Sequence, residues 1–390
     1  MASESSRDNN KKILLSPPSQ TGLEEKFLKE VLASNWLAPV GPQIDAFELE
    51  LSQYLGSNKE VVALNSGTSA IHLALIQCGV GPGDHVICQS FSFAATANPI
   101  RYLGAEPIFI DSEQDTWNID PNVLELALAE CQKKGIAPKA IIAVHTYGTP
   151  CRLKEILQIA SRYEIPVIED SAEALGSSIG DDPCGTLGDF GVLSFNGNKV
   201  ITTAGGGALI CNDKEQKEAI IALARQAPTP GRHYFHQEIG YNYRMSNLNA
   251  ALGRAQLVGL AKKLDRRSQI HQHYTESLRS DLGIKLYEVP DLTMKSNYWL
   301  NCICCNWKEL KLDLEDVVSG LANQNIEVRP FWHPLHLQPS FNGAPYYGNS
   351  VAQELQQVGL CLPSGDQMTN SDVDRVVEAL HLLITKSASS

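Results

Sequence analysis

"VVALNSGTSAIHLALIQCG", residues 61–79, reads as a strand, a turn and a helix. Residues 61–65 form an apolar run that ends on an amide, and residues 69–79 follow as a helix rich in Leu, Ile and Ala. A continuous apolar strand suits a parallel sheet covered by helices on both faces. At the joint, Gly67 permits a tight turn, and the first N–H groups of the helix lack an internal acceptor. Together with the helix dipole they favour a phosphate, to which Thr68 and Ser69 would add donors. The same residues also suit a plain helix cap.

The unit repeats downstream. Strand-like "DHVICQS", "EPIFID", "AIIAVHTYG" and "IPVIED" alternate with helix-like "AATANPIRYLG", "PNVLELALAECQKKG" and "RLKEILQIASRYE". This alternation predicts an α/β fold with a doubly wound, mostly parallel sheet. Two amphipathic helices, "TGLEEKFLKEVLAS" and "IDAFELELSQYLG", precede it. Beyond residue 240 comes one long helical pattern, then shorter strands and two helices, "LEDVVSGLANQN" and "DVDRVVEALHLLI". The expected organisation is a disordered tail over 1–12, a large domain over 13–245, a connecting helix over 246–284 and a small α+β domain over 285–390.

Composition narrows the function classes. The chain has 390 residues, 43% of them hydrophobic, and a net charge of −12. Such an acidic protein is a poor non-specific binder of nucleic acid or anionic membrane. The polar start "MASESSRDNNKK" lacks the apolar core of a signal peptide. No run approaches the roughly 18 apolar residues of a membrane span. The ten cysteines read as reduced thiols of a cytoplasmic protein. Cys302, Cys304 and Cys305 lie in "YWLNCICCNW", a strand-like stretch with no second Cys/His pair at zinc spacing, so no metal is expected.

Four features fall at strand ends or helix starts, where an open α/β sheet binds ligands. They are the turn at 65–70, Asp170 at the end of "VIED", Lys199 in "SFNGNKVITTAGGG" and "GYNYRMSN" at 240–247. The chain lacks a phosphate-binding G-x-x-x-x-G-K-[ST] loop, a dinucleotide G-x-G-x-x-G and a hydrolase G-x-S-x-G. A phosphate cradle, an acid and a lysine on one face suit pyridoxal phosphate. That cofactor takes its Schiff base from a lysine and its ring-nitrogen partner from an aspartate.

The chain resembles the DegT/StrS family of pyridoxal phosphate-dependent sugar aminotransferases over about residues 13–385. "SNWLAPVGPQIDAFE", "LNSGTSAIHLAL", "SFSFAATANPI", "VIEDSAEALGS", "GTLGDFGVLSFNGNKVITTAGGGAL" and "GYNYRMSNLNAALGRAQ" carry the likeness. Within the family it is most similar to enzymes that aminate C4 of UDP-4-keto-6-deoxy-N-acetylglucosamine, through "ILLSPP", the GGG loop, "VRPFWHPLHLQPSF" and "GLCLPSG". The resemblance implies a type I transferase fold and L-glutamate as amino donor.

It also implies residue roles. Lys199 matches the Schiff-base lysine and Asp170 the ring-nitrogen partner. Glu173 matches the position beside the cofactor's O3′, and Phe93 the aromatic stacked on the ring. Gly67, Thr68, Ser69 and Ser194 match phosphate ligands. Asn242 matches an asparagine that reaches the phosphate from the other subunit of a homodimer. Arg329 and His336 fall in the segment associated with the sugar nucleotide. Many relatives carry T-T-G-E-G-G after the lysine where this chain has "TTAGGG". Family members that are dehydratases carry His in place of the lysine, against which Lys199 argues. The alternatives are a C3-keto or dTDP-linked sugar substrate, a regulator that only senses the cofactor, and an idle partner subunit.

Overall fold

The computed structural model describes residues 11–388 apart from 57, 230, 232 and 234, so most of the expected tail lies outside the described residues. An eight-stranded sheet forms the centre. Its order is Glu60–Leu64, Gly207–Cys211, Phe190–Ser194, Val167–Asp170, Ala140–Val144, His85–Gln89, Glu106–Ile110 and Tyr346–Tyr347. Neighbouring strands from Phe190–Ser194 to Tyr346–Tyr347 pair in parallel. Gly207–Cys211 alone runs the other way, antiparallel to both of its neighbours.

Successive strand residues feed opposite cores, as a pleated backbone requires. Val86 and Cys88 pack under helices Gly67–Gln77 and Lys214–Ala224 with Ile71, Leu75, Ile220 and Leu223. Ile87, between them in sequence, packs with Leu124, Leu128, Ile156 and Ile159 on the other face, under Pro121–Lys133 and Leu153–Tyr163. Both faces are thus dry, which explains the near-continuous apolar strands.

The second layer departs from the expected boundaries. The 246–284 pattern is not one helix: Asn247–Val258 and Leu260–Ser277 are separated by Gly259, against which Thr21 packs. The small antiparallel sheet runs Ile284–Leu286, Asn301–Cys305, Gly359–Leu362 and Arg329–Pro330. Ile13 packs with Ile303, Leu360, Val376 and Leu380 of this C-terminal core. Tyr346–Tyr347 leaves that core to extend the large sheet beside Glu106–Ile110. All ten cysteines are free. Among the described residues no helix is long and apolar enough to cross a membrane.

The reversed strand packs closely against the phosphate-type turn. A Cβ on Gly207 would overlap the backbone of Ser66 and Gly67 on the neighbouring strand end. No rotamer change relieves an overlap with backbone. Gly207→Ala is therefore expected to lose about 1–3 kcal/mol of stability, read as a lower urea midpoint, while Gly205→Ala should not meet this overlap.

Candidate active site

At the carboxyl edge of the sheet, chain segments enclose a cavity of about 430 Å³. One is the turn after Glu60–Leu64. Another follows His85–Gln89, and a third is the hairpin between Phe190–Ser194 and Gly207–Cys211. Ser194 pairs directly with Gly207, so the hairpin closes at this edge and projects Lys199 over it. The segment 240–247 lies alongside: Asn65 N donates to Tyr243 O, and Arg244 bridges to Leu64.

Lys199 and Glu173 form a partly buried ion pair, with Nζ 3.1 Å from Oε1. The Lys199 ammonium also lies 4.0 Å from the centroid of the Trp299 ring, a cation–π contact. The other Glu173 oxygen accepts the Tyr147 N–H at 2.8 Å, from a residue with φ of 55°. Burial raises the Glu173 pKa, and the Lys199 charge opposes that rise.

Asp170 ends its strand almost wholly buried. Its Oδ2 accepts the Thr96 hydroxyl at 2.7 Å and its Oδ1 the Ala172 N–H at 3.3 Å. Burial raises its pKa, opposed first by the Thr96 bond and then by the Ala172 bond and the Lys199 charge. Both direct partners are neutral groups. A buried carboxylate so placed is incomplete without a cation, and the protonated ring nitrogen of pyridoxal phosphate is one. At the far end, helix Gly67–Gln77 offers its opening N–H groups, and Thr68 and Ser194 line the wall. The residues present therefore fit the cofactor.

The structure brings Gly67, Thr68, Phe93, Asp170, Glu173, Ser194 and Lys199 into this one cavity. Ser69 is not among its lining residues. Its N–H is capped by Ser66 Oγ at 3.0 Å and its hydroxyl donates to Asn65 Oδ1 at 2.6 Å, so its donors serve the turn. His336 also lies outside. Its Nδ1 bonds Ser90 Oγ at 2.6 Å and its ring stacks on Tyr346, with a pKa lowered by burial. Arg329 lines a neighbouring recess, where it pairs with Glu327 at 2.8 Å. Asn242 is exposed and does not line the cavity of its own chain.

Sequence reading missed Thr96, Trp299 and Trp332, all of which line the cavity. Thr96 was covered by a stretch read as helix, and Trp299 by one read as strand. In fact Ala94–Thr96 is a separate short turn that follows Phe93, and Trp299 precedes its strand.

A lysine, a buried acid whose direct hydrogen-bond partners are neutral and a helix N-terminus at one edge of this sheet define a pyridoxal phosphate-dependent aminotransferase of the type I fold. Residues 18–381 match the model of the DegT/DnrJ/EryC1/StrS aminotransferase family, and the chain belongs to that family. It is 46% identical over 382 residues to EpsN of Bacillus subtilis, named as a pyridoxal phosphate-dependent aminotransferase, covering 96% of this chain and 97% of that one. It is 35% identical over 370 residues to GDP-perosamine synthase of Caulobacter vibrioides, covering 95% and 97%. The structure of DesI with its TDP-sugar product superposes with a TM-score of 0.87 at 26% identity, covering 97% and 95%.

The raised pKa of Asp170 has a sign that can be checked. A carboxyl whose folded pKa exceeds its unfolded one costs stability once ionised; below the unfolded pKa the cost vanishes. Asp170→Asn should therefore raise the melting midpoint of the cofactor-free protein at neutral pH and leave it unchanged in acid below the carboxylate range.

Proposed function

We propose that this protein moves the amino group of L-glutamate to the C4 ketone of a nucleotide-linked 4-keto-6-deoxy sugar. The preferred acceptor is UDP-2-acetamido-2,6-dideoxy-4-keto-hexose. The observation that carries the reading is the Lys199 amine, held between Glu173 and Trp299 in the cavity that Asp170 and the phosphate-type turn also line. The names of two relatives, a GDP-perosamine synthase and an enzyme with a TDP-sugar product, support a nucleotide-linked sugar.

Bound pyridoxal phosphate supplies an electron sink for the carbon that gains or loses the amine. Lys199 Nζ would hold the cofactor, and its amine would serve as the base that moves the proton at that carbon. Asp170 would keep a proton on the ring nitrogen. Glu173 and Phe93, which line the same cavity, would hold the cofactor on its phenolic side and over its ring. Gly67, Thr68 and Ser194 would take the phosphate. Asn242 completes the same phosphate site from the partner subunit of a homodimer, which its exposure on its own chain permits. Arg329 faces the outer part of the sugar nucleotide, because its recess shares Asn198, Trp299 and Trp332 with the cavity. His336 acts at one remove, by holding Ser90 ahead of the Phe93 segment.

A second reading keeps the chemistry and changes the acceptor to a C3-keto, GDP- or dTDP-linked sugar; the names of the same two relatives support the GDP- and dTDP-linked forms. Mass spectrometry of products from UDP-, GDP- and dTDP-keto sugars with glutamate decides between them. Amination of a UDP-4-keto sugar is expected; turnover of only another class replaces the first reading by the second. Lys199→Ala should abolish amine transfer with the fold intact, and substantial transamination by that variant would remove Lys199 from its role. Mixed Lys199→Ala and Asn242→Ala subunits should recover activity above either alone, since one hybrid site then holds both native residues. No recovery after verified subunit exchange would place Asn242 in its own chain's site or in the fold.

A further inference from the structure

Thr96 is 74 positions from Asp170 in sequence, yet its hydroxyl is the side-chain donor to that carboxylate, at 2.7 Å. Its side chain is 1% exposed. A hydroxyl has one proton to give. With that proton directed at a carboxylate, which only accepts, Thr96 Oγ1 must accept its other bond, from Ser92 Oγ at 2.6 Å. The chain of donation is thus Ser92 to Thr96 to Asp170. Both hydroxyls line the cavity, and both come from the segment after His85–Gln89 that carries Phe93.

We propose that Thr96 is a positioning residue for the cofactor's ring nitrogen. It fixes the rotation of the Asp170 carboxylate and holds it as an anion, so that a ring nitrogen arriving with its proton meets an acceptor already aimed. The proposal rests on the reading of Asp170 as the ring-nitrogen partner. Hydrogen bonds to a charged group outweigh neutral ones, and a relay polarises each member in turn. Ser92 contributes by freeing Thr96 from donating elsewhere. A threonine is suited to the task because its branched Cβ restricts the hydroxyl to few rotamers.

If Thr96 merely packed, valine, which has its shape, would replace it without loss. The test measures pyridoxal phosphate affinity of the cofactor-free full-length protein by fluorescence titration, and so does not depend on turnover. Thr96→Val should weaken binding about tenfold or more, the size expected of a lost bond to a charged group. Thr96→Ser should restore most of the affinity, and Ser92→Ala should show a smaller loss in the same direction. In an Asp170→Asn background, Thr96→Val should have little further effect, because the two residues act as one unit. Should Thr96→Val fail to fold, Ser92→Ala with Asp170→Asn completes the same cycle.

Wild-type affinity in Thr96→Val, or an equal loss with and without Asp170, overturns the proposal while leaving Asp170 in its role. Wild-type affinity in Asp170→Asn alone overturns the reading of Asp170, and the proposal with it.

Discussion

One reversed strand governs the site. Gly207–Cys211 runs antiparallel to Glu60–Leu64 and to Phe190–Ser194, so it starts at the edge where both of those strands end. The chain leaving Ser194 must therefore return to that same edge, and everything between lies there, Lys199 included. A parallel strand in its place would have needed a crossover to the opposite edge and would have taken the lysine's return path away from the ligand face. The reversal also lays the strand start against the turn at Ser66 and Gly67, which only a residue without a side chain allows. Amine and phosphate cradle are thus set by one backbone arrangement before any side chain contributes.

Much of this was legible in the residues, and the limits have physical causes. Strands buried on both faces show as apolar runs, so the alternation of Val61, Ile87, Ile108, Ile141 and Ile168 segments with helices exposed the α/β architecture. The reversal of Gly207–Cys211 left no mark, because a buried antiparallel strand is as apolar as a parallel one. The pairing of Tyr346–Tyr347 with the large sheet was invisible for a related reason: two residues carry no period. Helical periodicity ran through Gly259 unbroken, since one glycine rarely changes it. Lys199 and Asp170 stood out because charge beside an apolar strand is conspicuous. Thr96 did not, because a threonine earns notice only when a distant carboxylate is seen to accept from it. Ser69 shows the converse: it has the right chemistry in the motif, yet it does not line the cavity, and its donors go to Asn65 Oδ1 and Ser66 Oγ.

The electrostatics of the cavity differ from those of a site built on arginines. The lining carries one cation, Lys199, and two acids, Asp170 and Glu173. The wall at the turn offers backbone N–H groups and hydroxyls, which stabilise an anion by direction and dipole without adding net charge. That arrangement suits a chain with a net charge of −12. Both carboxylates of the lining feel the charge of the Lys199 ammonium, which pairs directly with Glu173.

The buried thiols bear on chemoselectivity. Aldehydes and ketones react with thiolates as well as with amines, and this chain holds ten cysteines. Burial pushes Cys78, Cys211 and Cys304 up to about 12, and Cys305 to about 11. Thiolate, the reactive form, is therefore scarce at these positions near neutral pH. Cys151 and Cys361 are buried, with 0% and 2% exposure. No cysteine is among the residues that line the cavity, where Lys199 is the one amine, so the sulfur of this chain lies apart from the place where a carbonyl compound would meet that amine.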